Sequence, residues 1–170
     1  MTPRTPALTI LFLALAACSS APGPVPEQVQ DDVRKLMTAL YTGDVDTVVA
    51  HTHPAVLVKL GGTARVHDAI ADVCKRMKEH GAKLESLTFP RAPEFLQADD
   101  RWFAIVPTLS VTVADGQRME STSFQFGVIE PGAEHWTYID GSRVESTDVP
   151  RLFVGFPLSY RFPPVTRRKL

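Results

Sequence analysis

Val29, Val33, Leu36, Met37, Leu40 and Tyr41 recur at spacings of three and four, which marks one face of an amphipathic helix over 27–42. Gly43 stops it, since glycine takes up the left-handed backbone that closes a helix without steric cost. Asp44 then offers a carboxylate to the orphan amides of a second, short helix that runs through Asp46, Val48 and Val49 to His51. His53-Pro54 is expected to end that helix. An apolar patch at 56–60 and the turn Gly61-Gly62 lead to Thr63, read as the cap of a third helix. Its stripe is Val66, Ala69, Ile70, Val73, Cys74 and Met77, and Gly81 terminates it.

After Gly81 the period changes to that of strands. Segments 84–89, 101–114 and 118–129 are rich in Val, Ile, Phe and Thr, and Asp115-Gly116 between the last two is a hairpin signal. A turn over 130–134 and a final strand over 135–139, closed by Asp140-Gly141, complete the set. Helices ahead of an antiparallel sheet must bury their stripes against it, so the predicted fold class is α+β. Three N-terminal helices are expected to pack in the concave face of a curved antiparallel sheet. Further on, Leu152, Val154, Phe156, Leu158, Tyr160 and Phe162 share one parity, as in an extended segment with one buried side. Leaving six such side chains in water would invite aggregation. The tail is therefore expected to lie along the domain, with a contact to a second copy as the alternative.

The N-terminus carries a different signal. Arg4 precedes an apolar segment over 7–17, too short to cross a bilayer, which takes roughly 20 residues. It reads as a cleaved export signal. Leu15-Ala16-Ala17-Cys18 resembles the lipobox of bacterial lipoproteins, which implies that Cys18 is acylated and becomes the mature N-terminus. Two or three acyl chains hold a protein firmly at a membrane surface, whereas one is marginal. Ser19 stands where an aspartate would resemble the inner-membrane retention signal. In a diderm bacterium the resemblance thus implies an outer-membrane anchor facing the periplasm, with the inner membrane as the weaker option. The small-residue, Pro-rich stretch 19–26 reads as a tether. The division expected is signal 1–18, tether 19–26, folded domain 27–145 and apolar tail 146–170.

Charge narrows the partners. Without the signal, 17 basic residues face 19 acidic ones, which gives no electrostatic footprint for nucleic acid. The basic cluster Arg167-Arg168-Lys169 reads as a solvated tail, with contact to anionic lipid headgroups as the alternative. If Cys18 is acylated, Cys74 has no intramolecular partner, and its place on a helix stripe favours an inert buried thiol.

Four stretches together carry a resemblance of fold. They are Leu40-Tyr41-Thr42-Gly43-Asp44, His51-Thr52-His53-Pro54, Leu60-Gly61-Gly62 and Trp136-Thr137-Tyr138-Ile139-Asp140-Gly141. In this order of elements the chain resembles the cone fold of the nuclear transport factor two superfamily, which includes ketosteroid isomerase-like and polyketide cyclase-like proteins. The nearest likeness is to uncharacterised envelope members. The resemblance implies a pocket between sheet and helices; none of the motifs is a catalytic signature.

Within such a pocket the candidate ligand-binding side chains are Tyr41, Trp102, Ser121, Trp136 and Tyr138. Tyr41, Trp102 and Ser121 are each equally explained as core packing with the polar tip satisfied. The catalytic candidates are Asp140, His53, Tyr41 and Tyr138. Trp136, Tyr138 and Asp140 share a strand face, and a buried Asp140 would suit proton transfer. An Asp-Gly pair more often caps a turn, and that role is favoured here. His51 and His53 do not share a helical face, and neither His67 nor His80 falls at a spacing that adds a zinc ligand, so no metal site is expected. There is no Ser-His-Asp arrangement and no phosphate loop, and no cofactor is implied. The leading reading is a non-catalytic envelope lipoprotein that binds a small apolar ligand or another envelope protein. The alternatives are an isomerase-like or cyclase-like enzyme using Asp140 or His53 with Tyr41 or Tyr138, and a structural homodimerisation module.

Overall fold

The computed structural model describes residues 23–144 and 148–170, so the expected export signal, Cys18 and half of the expected tether lie outside the described residues. Four α-helices precede the sheet: α1 Pro26–Thr42, α2 Val45–Ala50, α3 Pro54–Lys59 and α4 Thr63–Glu79. Six strands follow: β1 Lys83–Thr88, β2 Glu94–Ala98, β3 Arg101–Ala114, β4 Gln117–Ile129, β5 Thr137–Asp140 and β6 Thr166–Lys169. A one-turn helix, α5 Val149–Leu152, lies between β5 and β6. The chain is thus an α+β protein with one antiparallel sheet. No helix among the described residues is long and apolar enough to cross a membrane.

The count of three helices ahead of the sheet is corrected to four. Pro54 starts α3 where it was expected only to end α2. Proline suits the first helical position, where its missing N–H would have had no partner, and His53 supplies the cap by accepting the Ala55 amide on Nδ1. The Asp44 cap of α2 forms as its chemistry suggests, taking the Thr47 amide at 3.1 Å and the Thr47 hydroxyl at 2.7 Å. Thr63 is not a cap: it is the first residue of α4, and Gly62 precedes it with no side-chain cap.

The sheet runs β1-β3-β4-β5, with β2 on the free end of β3 and β6 on the free end of β4. Asp115 and Gly116, both at positive φ, close the β3–β4 hairpin, and thirteen residue pairs hold its register from Trp102↔Ile129 to Ala114↔Gln117. On its other side β3 pairs with β2 as far as Ile105 and with β1 from Leu109. Pro107 therefore sits in the gap, where a residue without an N–H costs no ladder bond.

Alternation divides the middle of the sheet between two cores. Ala104 and Val106 of β3, with Trp136 and Tyr138, pack on Val29 and Val33 of α1. Phe103 and Ile105, with Phe124, Phe126 and Val128, pack on Val149, Phe153 and Phe156 from the C-terminal segment. Both faces are covered here, which explains why residues 103–108 are buried without a break.

The C-terminal segment is not the regular strip that its parity suggests. Leu152, Val154 and Leu158 are exposed, while Phe153, of the opposite parity, is buried between Phe103, Phe126 and His53. The turn of α5 and the left-handed Gly155 break the alternation. Tyr160 and Phe162 resume it: Phe162 stacks on Phe156, Tyr160 meets both rings edge-on, and the Tyr160 hydroxyl donates to Glu94 at 2.8 Å. The basic cluster that follows is β6, held to Met119–Thr122 of β4, with Arg168 donating to Glu120 at 2.7 Å.

Candidate functional site

A cavity of about 450 Å³ lies between the helices and the β5 side of the sheet. At about 30 Å³ per water in the liquid, it holds far more than one buried water. Its wall is mostly aliphatic: Leu36, Met37 and Leu40 of α1 face Val66, Ile70 and Val73 of α4. These residues belong to the stripes that mark the two helices in the sequence. Here the stripes line a space instead of meeting other side chains. An aliphatic space of this size stays dry or takes an apolar occupant.

The charged residues on the wall are Lys59, Asp140 and Arg143, all exposed, and the half-buried Asp148; their exposure puts the mouth on their side, while Thr52 and Gln125 are the uncharged polar residues of the wall. Gln125, only 6% exposed, is on the wall; it is a polar residue set between Phe124 and Phe126, and it faces the helices while they face the C-terminal segment. That break in an apolar run was the sequence signal for this position. Lys59, Gln125, Arg143 and Asp148 are polar members of the site that motif reading did not single out.

Of the candidate residues, Tyr138 and Asp140 line the cavity. Tyr138 presents its ring. Its hydroxyl donates toward Asp32 Oδ2 at 3.3 Å, with the Val29 carbonyl at 3.4 Å. Burial, and then the Asp32 carboxylate, push the phenol well above its usual range. Asp140 is exposed at the strand end, and its Oδ1 accepts the Ser142 amide at 2.9 Å. Its carboxylate caps the short helical turn that follows.

Tyr41, Trp102, Ser121, Trp136 and His53 are not on the cavity wall. Tyr41 faces Thr112 from the end of α1, and burial raises its pKa. Trp136 is buried in the core under α1, with Trp102 packed at its margin. Ser121 pairs with Ser110 on one side and Arg167 on the other.

His53 belongs to a separate cluster beneath Phe153. With Nδ1 occupied as an acceptor, its hydrogen is on Nε2, 3.5 Å from Glu130 Oε1. Glu130 is itself gripped by Arg101 at 2.7 Å, and the Arg101 guanidinium lies over the Phe153 ring. Burial lowers the His53 pKa, against the opposing pull of Glu130. The adjoining backbone ties this junction to the sheet: Tyr138 donates to His51 O at 2.7 Å and His53 donates to Tyr138 O at 3.0 Å. The outer edge of β5 is covered at that point.

Three of the other four histidines are engaged locally. His51 Nδ1 donates to Thr47 O at 2.8 Å, His67 pairs with Asp46 at 3.3 Å, and His80 pairs with Asp115 at 3.1 Å. Among the described residues no three His, Cys, Asp or Glu side chains converge on a metal-sized space. Cys74 points its thiol at the Leu40 carbonyl, 3.5 Å away, and burial raises its pKa. A thiol held so is a poor nucleophile. No protein-family model matches the sequence, and no curated protein matches it either.

Proposed function

We propose that the protein is a membrane-anchored envelope lipoprotein whose domain, of the cone-fold type, binds a small apolar ligand in this cavity. The observation that carries the reading is a mostly aliphatic space of about 450 Å³ whose charged lining residues are chiefly the exposed ones. Its size falls within the range of small-molecule sites, about 300–1,000 Å³. The order of elements supports the fold assignment, and the Leu15-Ala16-Ala17-Cys18 sequence supports the anchor.

Binding is favoured over proton transfer by where the two cavity-wall candidates spend their polar groups. Asp140 accepts a backbone amide at an exposed strand end, and the Tyr138 hydroxyl is turned to Asp32. Asp140 is exposed and the buried Tyr138 hydroxyl is not free to point at a substrate, unlike a general base or an oxyanion donor.

The test is a titration with N-phenyl-1-naphthylamine, which fluoresces in apolar surroundings. The wild-type chain should bind one dye, and both Ile70→Trp and Ala69→Phe, which fill the space from α4, should abolish binding without lowering the melting temperature by more than a few degrees. Folded variants that bind the dye as well as wild type would overturn the cavity reading. For the anchor, metabolic palmitate labelling and membrane fractionation should both be lost in Cys18→Ser; retained labelling would refute lipidation at that position.

A further inference from the structure

Resting on the cavity reading above, we propose that the occupant is a single-chain amphiphile with an anionic head. The chain lies among the aliphatic side chains of α1 and α4, and the head sits at the mouth on Arg143.

The wall admits apolar molecules in general, the ring-bearing dye included, and suits a chain better than a flat ring system. Tyr138 is the one aromatic residue on it among the described residues, and the rest of the apolar lining is Leu, Ile, Val, Ala and Met. Aromatic ligands gain from stacked or edge-on rings, which this wall scarcely offers. Flexible aliphatic side chains, with Met37 among them, fit themselves to a flexible methylene chain.

The mouth selects the sign of the head. Two carboxylates and two cations stand there, but both carboxylates are already engaged. Asp140 holds the Ser142 amide at 2.9 Å, and Asp148 lies 3.7 Å from Lys59 and 3.9 Å from Arg151. Arg143 is exposed at the rim and enters no ion pair among the described residues. A planar guanidinium beside an apolar opening matches a carboxylate or a phosphate monoester, each of which it can grip by two parallel hydrogen bonds.

The rim adds a route of entry. Leu60, Val73 and Leu152 line the cavity and are also 44%, 36% and 47% exposed. Apolar side chains around an opening let a chain pass from an aggregate or a bilayer surface into the protein with less of its length in water.

The experiment uses the full chain carrying Cys18→Ser, so that no acyl group of its own competes. Dodecanoate, dodecyl phosphate and dodecanol are titrated calorimetrically below their aggregation concentrations, with the naphthylamine dye as control. Both anions should bind about fivefold more tightly than dodecanol, the scale of an exposed ion pair. Arg143→Gln should erase that preference and leave dodecanol binding unchanged, and Ile70→Trp should weaken all three. If one anion alone shows the Arg143-dependent preference, the head is a carboxylate or a phosphate accordingly, and the proposal stands. Equal affinities in wild type, or a preference that survives Arg143→Gln, would overturn the anionic head and leave the cavity reading intact. Dye binding with no dodecyl compound bound overturns the amphiphile alone. Loss of dye binding as well would sink both.

Discussion

The imidazole of His53 accepts the backbone hydrogen of Ala55 at 3.1 Å, and this one contact both ends the passage along β5 and starts α3. The acceptor must be an unprotonated Nδ1, so the cap exists only while the ring is neutral. A positive ring would also face the positive end of the helix.

Stability should therefore depend on pH through His53. Burial lowers its pKa from the ordinary value of 6.5, so the unfolded chain takes up the proton first as pH falls. Between the two pKa values the unfolded state binds more protons, and stability rises with pH. The contribution is complete above about pH 6.5 and is lost as pH falls through the folded value. Glu130 and Arg101 are the charged groups that act on the ring. Melting temperatures at pH 7.5 and 5.0 should fall with acid in wild type. In His53→Asn, which keeps a capping oxygen without a titrating ring, the fall should shrink. An equal drop in both proteins would remove His53 as the cause.

Phe153 binds the C-terminal segment to the sheet. Its ring meets Phe103 at 5.5 Å and Phe126 at 5.6 Å between centroids. Phe153→Ala should cost about 3–5 kcal/mol in urea unfolding, as for a large aromatic removed from a core. Leu158→Ser, at a residue 82% exposed, should change stability by less than about 0.5 kcal/mol. Comparable losses at both sites would mean that the segment docks differently.

Gly141 is required for space. A Cβ there would overlap the Phe124 carbonyl oxygen and come within 2.7 Å of the Phe124 ring. Backbone cannot yield as a side-chain tip does, so Gly141→Ala should destabilise by about 1–3 kcal/mol. The variant's melting temperature checks this, and a neutral result would show that the turn after β5 adjusts freely.

How far the sequence foretold this arrangement depends on what each signal measures. The stripes of α1 and α4 and the alternation of β3 and β4 placed the long elements within a residue or two, because each repeats its period many times. Short elements failed for the same reason. The segment Glu94–Ala98 offers five residues after two prolines, and β6 is Thr166–Lys169, basic and fully exposed; its pairing with β4 is a tertiary fact. Pro54 can stop one helix or start another, and only the imidazole beside it decides.

The site was legible in part. Tyr138 and Asp140 were picked out, but periodicity says which side chains are apolar and not whether the space between two stripes is filled. Trp136 and Trp102 went to the core beneath α1, while Leu36, Ile70 and Val73 came to line the cavity. Gln125 carried a readable signal in its break of an apolar strand. Arg143 carried none.

The account turns on occupation of the cavity, and native mass spectrometry of the wild-type and Ile70→Trp proteins purified from the producing cell's own envelope addresses it most directly. The account predicts a bound single-chain amphiphile at one per chain on the wild type and none on the variant. Wild-type protein that carries no non-covalent companion, or a companion molecule that persists in Ile70→Trp, would contradict it.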